Sequence, residues 1–212
     1  MSLFRLDTSI RQQGSVSREV ADTVESAWVE THPSTTVVRR DLGAHPLPST
    51  AYVAADERTP EQVAAVALAA ELADELAAAD AVIVAVPLYN FGVPAHLKAW
   101  IDLIITDPRF ASGAPQLLAG REAVIVIARG GGYGEGTPRE GWDHSTAYLE
   151  RIFGDVWGMN VHVVAAELTL ADVVPAMESL RGIAAESRAA ANSAAKDIAV
   201  LLAAQVRDNA AA

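Results

Sequence analysis

The chain contains no cysteine, which removes disulfides, thiolate metal ligands and thiol nucleophiles together and fits a reducing compartment. Any redox chemistry would therefore need a borrowed group. Lysine occurs only at Lys98 and Lys196, and no lysine- or arginine-rich run offsets the formal charge of -11. A field of that sign repels a phosphate backbone, so no nucleic-acid partner is expected. No stretch reaches the roughly 20 apolar residues of a membrane span, and the N-terminus lacks a basic segment followed by an apolar core. A cytoplasmic protein with no membrane partner is expected. The G-x-x-x-x-G-K-[ST] and G-x-G-x-x-G signatures are both missing. No H-x-x-x-H or H-E-x-x-H pair exists, so no metal site is expected. Ser145 has no G-x-S-x-G context, which disfavours a nucleophile elbow.

What is present is an alternation of short β-branched runs with helical patterns. Ala81–Val86 (A-V-I-V-A-V) and Ala123–Ala128 (A-V-I-V-I-A) are unbroken apolar runs, the composition of strands buried on both faces of a parallel sheet. Residues 2–8, Val37–Val38 and Val161–Ala166 supply three further strands. Val20, Val24, Ala27 and Trp28 fall on one helical face, with Ser15 or Ser17 available as its cap. Thr59-Pro60-Glu61-Gln62 starts a second helix, after a loop over Ala44–Thr59. Helices are also expected over Ala95–Ile105, Thr146–Trp157 and Pro175–Val206, the last broken near Ala190. Five strands alternating with helices predict an α/β doubly wound sheet of order 2-1-3-4-5, one domain spanning residues 1–212. Right-handed crossovers then bring the loops after Thr8, Val86 and Ala128 to one carboxyl edge.

Each of these loops carries unusual residues. Ser9, Ser15 and Ser17, with the amides of the following helix, suit a phosphate dianion; the alternative is that a serine only caps the helix. After Pro87, Tyr89 and Phe91 can flank a planar ring while Asn90 meets its polar edge, or the aromatics can simply cover the sheet end. Gly130–Gly132 allow close backbone approach, and Tyr133 offers a hydroxyl. Arg129 either faces a developing anion or serves as an ion-pair partner. Among the histidines only His144 has a view of this edge, and with Asn90 and Tyr133 it is a candidate catalytic group.

Ser9, Ser15-Val16-Ser17, Leu88-Tyr89-Asn90-Phe91 after Pro87, and Arg129-Gly130-Gly131 with Tyr133 resemble, in order and spacing, the flavin-contacting segments of the bacterial FMN-dependent NADH azoreductases, also described as NADH:quinone oxidoreductases. The resemblance implies a flavodoxin-like three-layer sandwich, a homodimer with FMN near the interface, and ping-pong transfer from NADH or NADPH to a small aromatic acceptor, a quinone or azo compound. By carry-over, Ser9 and Ser15–Ser17 hold the phosphate, Pro87–Phe91 the isoalloxazine, and Ala128–Gly131 with Tyr133 its pyrimidine edge. Ala128 stands where the family often has serine. Of the aromatics that usually cover the flavin, Phe110 remains and Trp157 stands as a replacement, which makes both expected walls of the substrate pocket. Two other functions are compatible with these residues: a tailoring enzyme for a specialised aromatic metabolite, and a flavodoxin-type electron carrier.

Overall fold

The computed structural model describes residues 1–48 and 59–211, with side chains up to residue 204. The strands β1 (Ser2–Asp7), β2 (Thr36–Asp41), β3 (Ala81–Pro87), β4 (Glu122–Ala128) and β5 (Asn160–Ala166) pair in parallel in the order β2-β1-β3-β4-β5. The expected order is thus observed. The second strand extends well beyond Val37–Val38, because its register with β1 runs from Ser2 opposite Thr36 to Asp7 opposite Asp41. Most of the expected loop over Ala44–Thr59 lies outside the described residues.

The central strands explain the layers. Every residue of β3 and β4 is buried, and successive side chains alternate between two helical layers. Val82, Val84 and Val86 join one core with α2 (Pro60–Ala77) and α3 (Ala95–Thr106), whereas Ala81, Ile83 and Ala85 join a second core with α1 (Val16–Thr31) and α5 (Arg181–Ala211). α2 starts as its sequence dictates: Pro60 opens the helix and Thr59 and Gln62 form a reciprocal capping box. The first core is filled by an aromatic train. Phe4, Trp100 and Phe153 stack with ring separations of 6.1 and 6.4 Å, and Trp157 meets Phe153 edge-on at 4.9 Å and Phe110 at 5.8 Å.

Phe110 and Trp157, the expected walls of the substrate pocket, are 3% and 2% exposed and pack within this aromatic core. The expected helix over Thr146–Trp157 is one α-helical turn, α4 (Thr146–Leu149), that widens into a π-helical segment over Glu150–Val156, with Ile152 and Phe153 buried in the wide turns. The C-terminal helix also differs from expectation. It passes Ala190 unbroken, as an alanine-rich run with no glycine or proline after Gly182 should, and the change of helix type comes earlier, where a 3-10 segment over Pro175–Leu180 gives way to α5.

An ion network under α1 fixes the first loop. Arg18 donates to both carboxylate oxygens of Asp41 at the end of β2 (2.9 and 2.7 Å) and to the Ser9 carbonyl (2.7 Å). Just beyond, Gly43 lies against the same carbonyl: a Cβ there would stand 1.9 Å from the Ser9 oxygen. Only a hydrogen fits. Gly43→Ala is expected to lower stability by about 2 kcal/mol, the order of an overpacking penalty against fixed backbone, measured as the shift in urea midpoint at constant slope. A midpoint equal to that of the parent would show that the Ser9 segment yields freely.

Candidate functional site

The carboxyl ends of β1, β3, β4 and β5 are laced to one another before their loops diverge. Thr8 donates through its backbone amide and its hydroxyl to Ala85, Leu88 N–H donates to the Ala128 carbonyl, and Arg129 N–H to that of Ala166. The loops therefore leave a rigid edge, the position at which ligands of open α/β sheets bind. Two cavities open there. The first, about 140 Å³, is lined by Ser9, Arg11, Ser15, Val16, Pro87, Leu88, Tyr89, Ala128 and Gly130, with Thr169 and Leu170 closing one side. The second, about 710 Å³, runs from Tyr89 and Asn90 past Val93 and His96 to His144 and Tyr148. Tyr89 belongs to both.

At the first cavity α1 begins without a side-chain cap. Ser15 occupies the N-cap position in extended conformation, yet its hydroxyl makes no capping bond and instead lies 3.2 Å from the Ser17 hydroxyl. The Ser15 hydroxyl, which lines the cavity, and the first helical amides are thus free of capping bonds and open to a ligand with negative charge, which the helix dipole also favours. Ser9 is 2% exposed, and its hydroxyl accepts from the Arg11 amide at 3.2 Å.

The loop after β3 is a two-residue hairpin. Tyr89 and Gly92 exchange both backbone hydrogen bonds (3.1 and 3.0 Å), and Asn90 and Phe91 between them have φ of 48° and 71°. This is the left-handed pair of a type I′ turn. Asparagine tolerates that region, but phenylalanine does so at a cost of about 1–2 kcal/mol. Phe91 is held there from outside: its carbonyl accepts from the His144 amide at 2.9 Å, and its ring meets Trp142 edge-on at 5.4 Å and Tyr133 at 6.4 Å. The Tyr89 hydroxyl in turn accepts from the Ile10 amide at 3.3 Å, which ties the first loop to the hairpin.

Arg129 is engaged as an ion-pair partner. Its guanidinium bridges Glu167 (2.8 Å) and Asp143 (2.7 Å) and donates to the Thr146 hydroxyl. Asp143 also accepts from the Ser145 and Thr146 amides at 2.8 and 3.0 Å, so it caps α4. Burial pushes the Asp143 carboxyl up, but the Thr146 and Ser145 hydrogen bonds and the Arg129 charge together hold it below the usual carboxylate range. In the second cavity the Tyr148 phenol is pushed up to about 12 by burial and by the Asp102 carboxylate, so it remains protonated. His96 donates its Nε2 proton to the Thr8 carbonyl at 2.6 Å, since a carbonyl can only accept.

Ser9, Ser15, Val16, Pro87, Leu88, Tyr89, Ala128 and Gly130 thus surround one cavity, and Asn90 and His144 line its larger neighbour. Ser17 is buried behind Ser15, while Phe91 and Tyr133 stand at the rim. Gly131 accepts from the Leu168 amide at 3.1 Å. The segment after β5 has no counterpart in the sequence-based reasoning. Thr169 and Leu170 amides donate to the Arg129 and Gly130 carbonyls, and Leu168 adopts a φ of 58° to let them do so. A Cβ on Gly130 would come within 2.8 Å of the Leu170 side chain. The residues E-L-T-L-A carry no distinctive motif; only the position of β5 beside β4 points to them.

Comparison with known proteins follows the same geometry. An FMN-dependent NADH:quinone oxidoreductase of Parafrankia sp. (strain EAN1pec) is 36% identical over 204 residues, 92% of this chain and 97% of that protein. A protein of the same name from Kineococcus radiotolerans is 40% identical over 204 residues, 93% of this chain and 97% of its own length. Among solved structures, an azoreductase from Bacillus anthracis str. Sterne superposes with a TM-score of 0.77 at 25% identity, covering 94% of this chain and 99% of that one. A family model described as flavodoxin-like fold matches residues 1–194. With the strand order and the loop-built edge both of that type, the chain belongs to the Flavodoxin_2 family of flavodoxin-like proteins.

Proposed function

We propose that this protein is an FMN-dependent NADH oxidoreductase that passes electron pairs to quinones or azo compounds. The observation that carries the reading is the uncapped start of α1. In a chain of charge -11, a helix start whose amides receive no side-chain cap, with the Ser15 hydroxyl beside them at a buried edge, suits a phosphate monoester held without lysine. The residues also fit the rest of the group. The first cavity is smaller than the roughly 300–1,000 Å³ usual for a whole small-molecule site, which suits the phosphate and its polyol arm, and the neighbouring cavity shares Tyr89 with it. Ser9 and Ser15, with the helix amides up to Ser17, would hold the phosphate, Leu88–Phe91 one face and edge of the ring, and Gly130, Gly131 and Tyr133 its pyrimidine side.

Bound here, FMN would supply two-electron chemistry, taking up a hydride from NADH and returning it, with one proton from solvent, to a quinone. What the chain contributes is position and exclusion of water. The Tyr89–Gly92 hairpin would set the wall against which the ring lies, and the amides of Gly130 and Gly131 would supply donors where charge grows on reduction. The relatives at 36–40% identity are named as oxidoreductases, which favours the enzyme over a single-electron carrier and gives NADH as donor. The protein acts as a homodimer with the site near the interface, and the exposed Ile10, Phe91 and Trp142 around the opening support that arrangement. Among the described residues no helix is long and apolar enough to cross a membrane, in keeping with a cytoplasmic enzyme.

The purified protein should be yellow, be bleached by NADH without oxygen and recover its colour with a quinone; protein that takes up no FMN would sink the assignment. Asn90→Gly keeps the left-handed turn and deletes only the amide. It should leave stability within about 0.5 kcal/mol and weaken flavin binding or turnover about tenfold, the order of one lost hydrogen bond to a polar group. Unchanged flavin affinity and turnover would remove Asn90 from the site.

Asp143 generates a pH prediction. Its folded pKa lies below the unfolded value near 3.9, so its contribution to stability is full above that value and fades as pH falls through the folded pKa. The difference in melting temperature between the parent and Asp143→Asn should therefore be large at about pH 6 and shrink toward about pH 3. A difference that stays constant across that range would show that the carboxylate charge is not what Arg129 uses.

A further inference from the structure

We propose that Arg139, on the loop between β4 and α4, recognises an anionic substituent on the electron acceptor, so that the enzyme prefers aromatic acceptors bearing a carboxylate or sulfonate. The inference rests on the oxidoreductase reading above and adds a substrate class to it. It starts from a census of cations. Among the described residues nearly every arginine is spent on carboxylates or carbonyls: Arg5 on Asp7, Arg18 on Asp41, Arg39 on Glu25, Arg40 on Glu75, Arg109 on Asp107, Arg121 on the Ala77 and Ala79 carbonyls, Arg129 on Glu167, Arg151 on Asp155, Arg181 on Glu178 and Arg188 on Glu19. Arg11 and Arg139 are the exceptions. Arg11 lines the phosphate-side cavity and belongs to the site already described.

Arg139 stands at the opposite end of the same edge. Its guanidinium carbon lies 5.9 Å from the centre of the Tyr133 ring, and its Nη1 is 2.7 Å from where a Cβ on Gly131 would be. It therefore rests directly on the loop assigned to the ring edge. The carboxylates nearby are otherwise engaged: Glu140 accepts from the Gly136 amide at 2.8 Å, and Glu167 accepts from Arg129 and from the Tyr133 amide. Beside Arg139 runs an aromatic rim, Tyr133 to Phe91 to Trp142, whose last member is 51% exposed. A cation without an ion pair among the described residues, stacked on a ring that leads on to two more, suits a planar molecule that carries its own negative charge.

The rest of the molecule makes this placement consequential. A chain of charge -11 repels anions generally, so an arginine without an ion pair beside Gly131 and Tyr133 locally offsets that repulsion. The acceptor is the better candidate than the dinucleotide. A sulfonate or carboxylate sits directly on the ring that would stack at this rim, whereas the pyrophosphate of NADH is separated from its nicotinamide by a ribose.

The test compares 1,4-naphthoquinone-2-sulfonate with neutral 1,4-naphthoquinone as acceptors of the flavin-loaded enzyme at saturating NADH. At about 0.01 M salt the ratio of kcat/KM (sulfonated over neutral) should be about fivefold lower for Arg139→Gln than for the parent, the upper order for an exposed ion pair, and Arg139→Lys should restore part of it; this difference, from which the repulsion shared by both proteins cancels, should shrink as salt is raised to about 1 M, where the screening length drops from about 30 to about 3 Å. Without turnover, calorimetry should show the same order of weakening for 2-naphthalenesulfonate binding to the oxidised protein. A ratio and an affinity unchanged by Arg139→Gln would overturn the proposal, as would a raised KM for NADH with the acceptor ratio intact. Failure of the parent to reduce either quinone would instead count against the oxidoreductase reading itself.

Discussion

Arg129 is the bracket on which the ring-edge half of this site depends. Three segments distant in sequence meet on one guanidinium: the loop that follows β4, the Asp143 cap of α4, and Glu167 at the end of β5. All three partners are largely buried, with side chains 14%, 11% and 22% exposed. Such a group gains little over an apolar replacement of the whole triad, but removing the cation alone strands two carboxylates and costs about 3–5 kcal/mol. The arrangement fixes geometry more than it adds stability. Glu167 then passes the constraint onward by accepting the Tyr133 amide, so the backbone that faces the cavity is set by a charge pair that does not itself line it.

The sheet was legible because its signals are local. A-V-I-V-A-V and A-V-I-V-I-A admit one environment, buried on both faces, and T-P-E-Q admits one conformation, the capped helix start seen at Thr59. The three loops were legible by the same route, each following a strand that could be recognised. What sequence could not supply depends on tertiary neighbours. Phe110 and Trp157 are chemically suited to a pocket wall or to a core, and only the nearby rings of Trp100 and Phe153 decide for the core. Gly43 is an ordinary glycine until the Ser9 carbonyl is found where its side chain would be. Thr169 and Leu170 enter the first cavity because Leu168 takes a left-handed φ, which nothing in E-L-T-L announces.

The hairpin after β3 shows a cost accepted locally and compensated at a distance. Asparagine at φ 48° is near its natural exception, but Phe91 at 71° is not. A glycine at position 91 would relieve the backbone and lose the ring that joins Tyr133 to Trp142. The strain therefore persists where an aromatic is needed on the rim, and the His144 amide and two edge-on ring contacts hold it in place. Backbone strain of this size is characteristic of sites where preorganisation matters more than the last increment of stability.

Tyr89 carries the same logic across the two cavities. Its side chain lines both, and its hydroxyl accepts from the Ile10 amide in the loop that leads to α1. The first loop cannot shift without pulling on that hydroxyl, and the hairpin cannot open without releasing it. An anion held at the start of α1 and an aromatic ring lying along the hairpin would thus rest on segments joined by this hydrogen bond. A ligand that contains both a phosphate and a planar ring engages both ends of this linkage at once, and each end preorganises the other; a ligand with only one of the two leaves half of that preorganisation unused.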